Sequence, residues 1–313
     1  MDFVPKTQVL KLHPDSMDVA RQRINLKTPE EMDAVVDILR EWIQQQKHFK
    51  RRDFSKRYLE MTIVQSKGSI ERAKQMIDKM CTLRSLLPQY FTISDIKKDF
   101  TEMFQVVTPV ILPRLTKDHR RVFITKMWGD VRNLSNITNF FKYTFMIAEY
   151  EKATDYVAGI HLTVDFSEIN LMDLLSKLNP VELKQVITTF IVAYGMKIQG
   201  IHCISTSKLI DAFIAILKQF LKPKIVSRIH VYKNWEELHD VIGKDVLPKD
   251  FGGDEKSIKE LHADWVEELS SEEFTAYLRE IYTAGTDEAY RPSHKFNEDY
   301  AGMPGTFRVL SVD

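Results

Sequence analysis

The amino-acid sequence predicts an α/β protein in which a helical N-terminal module precedes a layered unit with a mainly parallel sheet. Three observations carry that expectation. Residues 1–92 show helical periodicity and no strand pattern. Beyond them, β-branched runs alternate with amphipathic helices at separations too long for hairpins, which requires crossover connections. The most apolar helical pattern, Lys208–Leu221, lies between a strand and a proline with cations on its flanks.

In chain order, a weak helix covers Met17–Ile24. Thr28-Pro29-Glu30-Glu31 starts the next: a capping residue, proline at the first helical position, and acids in the first turn. It runs to about Gln46 and presents Met32, Val35, Val36, Ile38, Leu39 and Ile43 as its apolar face. The basic cluster Lys47, Lys50, Arg51, Arg52, Lys56 and Arg57 reads as a solvated surface, with contact to an anionic surface as the alternative. Helices follow at Arg57–Gln65 and Ser69–Leu86, ended by Pro88, and a short one over Ser94–Val106.

Arg121–Met127 is a β-branched strand, Leu134–Ala153 an aromatic-rich helix and Gly159–Asp165 a second strand. Asn179-Pro180-Val181-Glu182 opens a helix through about Tyr194, with Val186, Ile187, Phe190 and Ile191 on its apolar face. A strand at Ile198–Thr206, the Lys208–Leu221 helix and a strand at Arg228–Tyr232 complete the alternation. Helices are expected at Glu255–Leu269 and Ser271–Tyr282; the stretch Gly285–Asp313 is expected to pack irregularly or not at all.

In the Lys208–Leu221 helix, Leu209, Ile210, Phe213, Ile214, Ile216, Leu217, Phe220 and Leu221 cover most of the circumference. Lys208, Asp211, Lys218 and Lys222 fall on one narrow stripe. Such a helix has to cover something apolar. On periodicity alone, an ordinary core helix meets that need.

Composition narrows the function classes. Lys+Arg and Asp+Glu both count 44, so no overall charge drives binding to nucleic acid. The two cysteines, Cys81 and Cys203, match no metal spacing and fit a reducing compartment. The opening MDFVPKTQVLKLHPDS has no apolar core of signal-peptide length, and no segment has the ~18–20 uncharged apolar residues that span a bilayer. The expectation is a cytosolic protein.

Chemistry-bearing motifs are absent: no G-x-S-x-G, G-x-G-x-x-G, P-loop, H-E-x-x-H or C-x-x-C occurs. His161, His202 and His230 lie inside strands and read as structural histidines; Asp165, at a strand end, reads as a cap before a catalytic acid. We expect no catalytic residue, metal or cofactor, and a binder before an enzyme.

Leu247-Pro248-Lys249-Asp250-Phe251-Gly252-Gly253 resembles the L-P-x-[ED]-[YF]-G-G signature that ends the lipid-binding domain of the CRAL-TRIO family. Lys218–His230 is similar to its K-P-F-L helix and I-H pair, Lys197–Ile204 and Gly159–Asp165 to its strands, and Ser69–Lys74 with Leu83-Arg84 to its helical module. The resemblance covers roughly Thr28 to Trp265. It implies a helical module over 1–92, an α/β/α lipid-binding domain over 93–254, and C-terminal helices with an irregular stretch over 255–313.

The resemblance also implies an apolar pocket closed by a lid helix, here Leu209–Leu221, with Phe141, Phe145, Val186, Phe190, Ile201, Ile210, Phe213 and Leu217 as its lining. A helix apolar nearly all round could face both pocket and bilayer. Lys197, Lys218, Lys224 and Arg228 match basic positions near the lid; in the tocopherol carrier those matching Lys197, Lys224 and Arg228 hold a phosphoinositide headgroup.

The chain departs from the pattern in four places. Gln199 stands for an arginine, Gln219 for a proline, Gly195 for the proline before the strand, and Thr62–Ser66 lacks the arginines of F-L-R-x-R. These departures weaken the phosphoinositide expectation. The resulting expectation is intracellular binding and transfer of a small hydrophobic ligand, such as a tocopherol or retinoid, with transient contact to an anionic membrane. The alternatives are a membrane-lipid sensor or interaction module without cargo delivery, and, behind them, a hydrolase using Ser205 or Cys203.

Overall fold

The computed structural model describes residue 7, residues 9–157 and residues 159–291. The expected Gly285–Asp313 stretch therefore lies outside the described residues beyond Arg291.

The N-terminal module packs α1 (Ser16–Gln22), α2 (Pro29–Gln45), α3 (Lys56–Gln65) and α4 (Ile70–Leu86). Its helix starts are those the sequence marks. Thr28 and Glu31 form a capping box, and Ser55 and Ser69 each accept a backbone N–H three residues on. The helix expected over Ser94–Val106 is instead two single turns, α5 (Ile96–Asp99) and α6 (Thr101–Phe104), separated at the buried Phe100.

An unanticipated strand follows, β1 (Val107–Ile111), antiparallel to β2 (Arg121–Met127). Pro109 hides it from strand patterns, yet β1 is an edge, where a missing N–H can be accommodated. Next come α7 (Thr138–Thr154), β3 (Ile160–Asp165), α8 (Leu171–Lys177) and α9 (Pro180–Thr188). The helix α8 was not expected from the sequence. A π-helical turn at Thr189–Ala193 extends α9. Then β4 (Ile198–Ile204), α10 (Ile210–Lys218), α11 (Pro223–Val226), β5 (Ile229–Tyr232) and α12 (His239–Ile242) complete the layered unit. Finally α13 (Ile258–Leu269) and α14 (Glu272–Ile281) return to it, the Trp265 indole donating to the Ile111 carbonyl at 2.8 Å.

The five strands lie in sequence order, β2 to β5 parallel. Right-handed crossovers that always step the same way put their helices on the same face of the sheet. Thus α7, α9 and α10 share one side. That side is where the cavity lies.

Residues Gly285–Arg291 pack against the N-terminal module: Lys50 donates its N–H to the Gly285 carbonyl at 3.0 Å, and the Arg291 guanidinium chelates Asp78 at 2.8 and 2.9 Å. One hydrophobic core runs without interruption from Val9 and α2 through the sheet to α14.

Candidate functional site

Side-chain alternation on the strands sorts the sheet into two chemistries. Phe123 and Thr125 of β2 and Ile160, Leu162 and Val164 of β3 face the crossover helices. In β4, Ile198 and Ile201 both face that side although they are three apart, because the register shifts at Gln199–Gly200. Gln199, where the family has arginine, is thus part of a bulge.

Between this face and α7, α9 and α10 lies a cavity of about 210 Å³. Its wall is apolar save for Thr125, Thr144 and Glu151. A second chamber of about 150 Å³ adjoins it, sharing Thr125, Phe140, Phe141, Val164 and Phe213 and ending among Met127, Phe166 and Leu174. The two chambers follow β3 from Ile160 to Phe166, a run of roughly 20 Å at strand rise.

Phe141, Val186, Phe190, Ile201, Phe213 and Leu217 all line the cavity. Phe145 does not. It is fully buried behind the wall, stacked on Phe91 at 5.6 Å and packed against Phe190 at 4.6 Å, so it supports the lining. Ile210 likewise sits in the core at the start of α10 rather than on the wall. Helical periodicity could not separate these two from the lining, since wall and core residues share the same apolar face. The lining residues missed in sequence include Phe123, Leu162 and Val164, ordinary strand hydrophobics until the sheet's covered face is known.

The π turn of α9 has a visible effect here. It adds a residue to the turn holding Phe190 and Ile191, and both reach the wall. Gly195 ends this segment at φ +66°, a conformation a proline ring cannot adopt, which accounts for the departure from the family's proline.

The helix α10 covers the cavity with Phe213 and Leu217, followed by Leu221. Its outer side is Asp211, Ala212, Ala215, Lys218 and Gln219, all exposed. The exposed side includes Asp211 and Lys218 of the polar stripe and is widened by Ala212, Ala215 and Gln219, while the large apolar side chains of the helix are buried or half-buried.

The basic residues divide into two pairs. Lys197 is half-buried and its ammonium donates to the Val64 carbonyl at 2.8 Å; burial, with Lys67, Arg120 and Arg23 nearby, lowers its pKa to about 8. The Arg228 guanidinium is tied to the Ile198 carbonyl. Lys218 and Lys224 are exposed, on the last turn of α10 and on α11.

The opposite sheet face carries Asp165, His161 and His202. Asp165 accepts hydrogen bonds from the Lys126 ammonium at 2.9 Å, the Trp235 indole at 2.7 Å and the Ser167 N–H at 2.8 Å. Burial opposes ionisation, but these donors hold its carboxyl below the usual carboxylate range. Trp235 stacks on Phe251 of the LPKDFGG segment at 3.8 Å, so that signature closes the back of the sheet. Gly253 is obligatory there, since a Cβ would meet the Leu247 carbonyl oxygen at 2.0 Å.

His161 and His202 are hydrogen-bonded at 2.9 Å, and His202 reaches the Tyr232 hydroxyl at 3.2 Å. Burial pushes the Cys203 thiol up to about 12, and the Ser205 hydroxyl accepts the Ser207 N–H at 3.2 Å. Among the described residues no three His, Cys, Asp or Glu side chains converge to hold a metal, and no helix is long and apolar enough to cross a membrane.

Comparison with known proteins agrees with this geometry. Clavesin-1 of Rattus norvegicus is 27% identical over 184 residues, covering 54% of this chain and 51% of clavesin-1, so the chain matches about half the length of that relative. Alpha-tocopherol transfer protein-like of Mus musculus is 24% identical over 255 residues, covering 80% of this chain and 73% of the relative. The crystal structure of Sfh5 superposes with a TM-score of 0.53 at 12% identity, covering 87% of this chain and 99% of Sfh5, a likeness of fold. Residues 105–253, which enclose both chambers and the α10 cover, match the CRAL/TRIO domain, so this part of the chain is similar to the CRAL/TRIO family.

Proposed function

We propose that this protein binds one hydrophobic small molecule in the cavity beneath α10 and carries it between membranes without covalent chemistry. The observation that supports this most directly is the apolar hollow lined by Phe190, Ile201, Phe213 and Leu217. Each methylene buried there contributes about 0.8 kcal/mol, so an acyl or isoprenoid chain supplies most of its own affinity. Relatives named for alpha-tocopherol transfer favour the same reading.

In this reading α10 is the lid, residues 93–254 form the carrier unit and residues 1–92 its helical support. Lys218 and Lys224 supply the contact with an anionic, phosphoinositide-bearing surface, and the protein works in the cytoplasm at membrane surfaces. Carriage is favoured over hydrolysis because Asp165 is engaged on the other side of the sheet and Cys203 is held as a thiol.

The test is transfer of fluorescent tocopherol or retinoid between vesicles, with native mass spectrometry of what co-purifies. Transfer supports carriage. Binding without transfer favours a lipid sensor, and binding of neither probe with no co-purified lipid overturns the proposal.

A further inference from the structure

Glu151 of α7 borders both the main cavity and a smaller hollow of about 40 Å³ beside Gln65, Tyr194 and Lys197. Its neighbours' polar groups are engaged elsewhere. The Arg121 guanidinium holds Asp155 at 2.6 and 3.0 Å and the carbonyls of Lys11, Leu112 and Pro113. The Lys197 ammonium donates to Val64, the Tyr194 hydroxyl to Glu149 at 2.7 Å, and Gln65 accepts from Lys152 at 3.3 Å. The Thr144 hydroxyl donates to the Phe141 carbonyl at 2.8 Å. Against this background the buried Oε1 of Glu151 has no partner.

A buried polar atom without a hydrogen bond is costly, so a group missing from the protein's own inventory is called for. We infer that the Glu151 carboxyl anchors the hydroxyl or carbonyl terminus of an uncharged lipid, whose tail runs along β3 beneath Phe213 into the second chamber. This rests on the proposal that the cavity carries a lipid. Burial pushes the Glu151 carboxyl up to about 8, with Asp155 adding to the rise and Arg121 opposing it. At neutral pH the group is therefore a donor as well as an acceptor, suited to an alcohol or carbonyl oxygen. The nearby cations Arg121 and Lys197 are already engaged, which disfavours a second buried carboxylate such as a fatty-acid anion. The anchor lies at the Ile160 end of the channel, and the far end among Met127 and Leu174 is apolar.

The test uses the full chain and a pyrene-labelled alkane reporter displaced by hexadecanol, hexadecane or palmitate. Wild type should prefer hexadecanol to hexadecane by about tenfold and bind palmitate weakest. Glu151→Leu should erase the alcohol preference while keeping hexadecane affinity; Glu151→Gln should keep the preference. Raising pH through about 8 should reduce the preference in wild type and leave the Gln variant unchanged. If the Leu variant keeps the preference, if wild type shows none, or if palmitate competes as well as hexadecanol, the anchor is overturned while carriage stands. Failure of the reporter and all three chains to bind overturns carriage itself.

Discussion

The Phe213 ring of α10 meets Phe166, just beyond β3, edge-on, with centroids 5.0 Å apart and planes inclined at 67°. Phe213 lines both chambers and Phe166 the second, so this pair ties the cover to the sheet across the cavity. Edge-to-face aromatic pairs contribute about 0.5–1.5 kcal/mol beyond burial, little enough for the contact to break and re-form.

Phe213→Asp should therefore abolish retention of an apolar ligand while leaving the fold in place. A carboxylate on the cavity wall costs several kcal/mol in binding. Reporter displacement measures the loss and far-UV circular dichroism checks the fold. Unchanged retention would remove α10 as the cover.

Lys218→Ala combined with Lys224→Ala should weaken binding to anionic vesicles by about 2 kcal/mol at low salt, near 1 kcal/mol per cation, and by less at high salt. Arg228→Ala acts differently, because its guanidinium holds the Ile198 carbonyl, and should lower the unfolding midpoint. Vesicle co-sedimentation across a salt series decides; equal binding by the double variant would sink the membrane role of these lysines.

Gly195→Ala should cost about 1–2 kcal/mol, since φ there is +66° and a Cβ would press on the Met76 methyl at 2.4 Å. The Met76 side chain can yield, so backbone strain dominates. Denaturant midpoints test this, and a stable Gly195→Ala protein would contradict the left-handed conformation.

Stability should fall with pH on account of Glu151. Its folded pKa, about 8, lies above the ordinary 4.5, so its contribution is fully present below about 4.5 and is lost as pH rises through about 8. Lys152, lowered by burial to about 7, acts in the opposite sense at higher pH. Comparing wild type with Glu151→Gln isolates the carboxyl: the melting-temperature gap should open in favour of the Gln variant as pH rises. A gap independent of pH would refute the raised pKa.

Much of this was legible in local chemistry. Caps at Thr28, Ser69 and Asn179, the strand Arg121–Met127 and the LPKDFGG signature speak through residues adjacent in the chain, and adjacency is what a sequence records. Expectations failed where position in the sheet overruled composition. Val107–Ile111 forms a strand despite Pro109 because it lies at an edge. The cysteine and histidine of β4 face opposite ways because alternation resumes after the Gln199–Gly200 bulge.

Residue order alone was enough for the alternation of strands and helices, the helix starts and the apolar character of Lys208–Leu221, because each depends on period and capping within one segment. Which side chains border a hollow and which fill solid core depended on the sheet's strand order and on the face its crossover helices share. Phe145 is buried and Phe190 half-buried in the same aromatic cluster, yet only Phe190 reaches the cavity wall. Likewise Glu151 was silent in the sequence, because an unpaired carboxyl is defined by neighbours drawn from β2, α3 and β4, which only folding brings together.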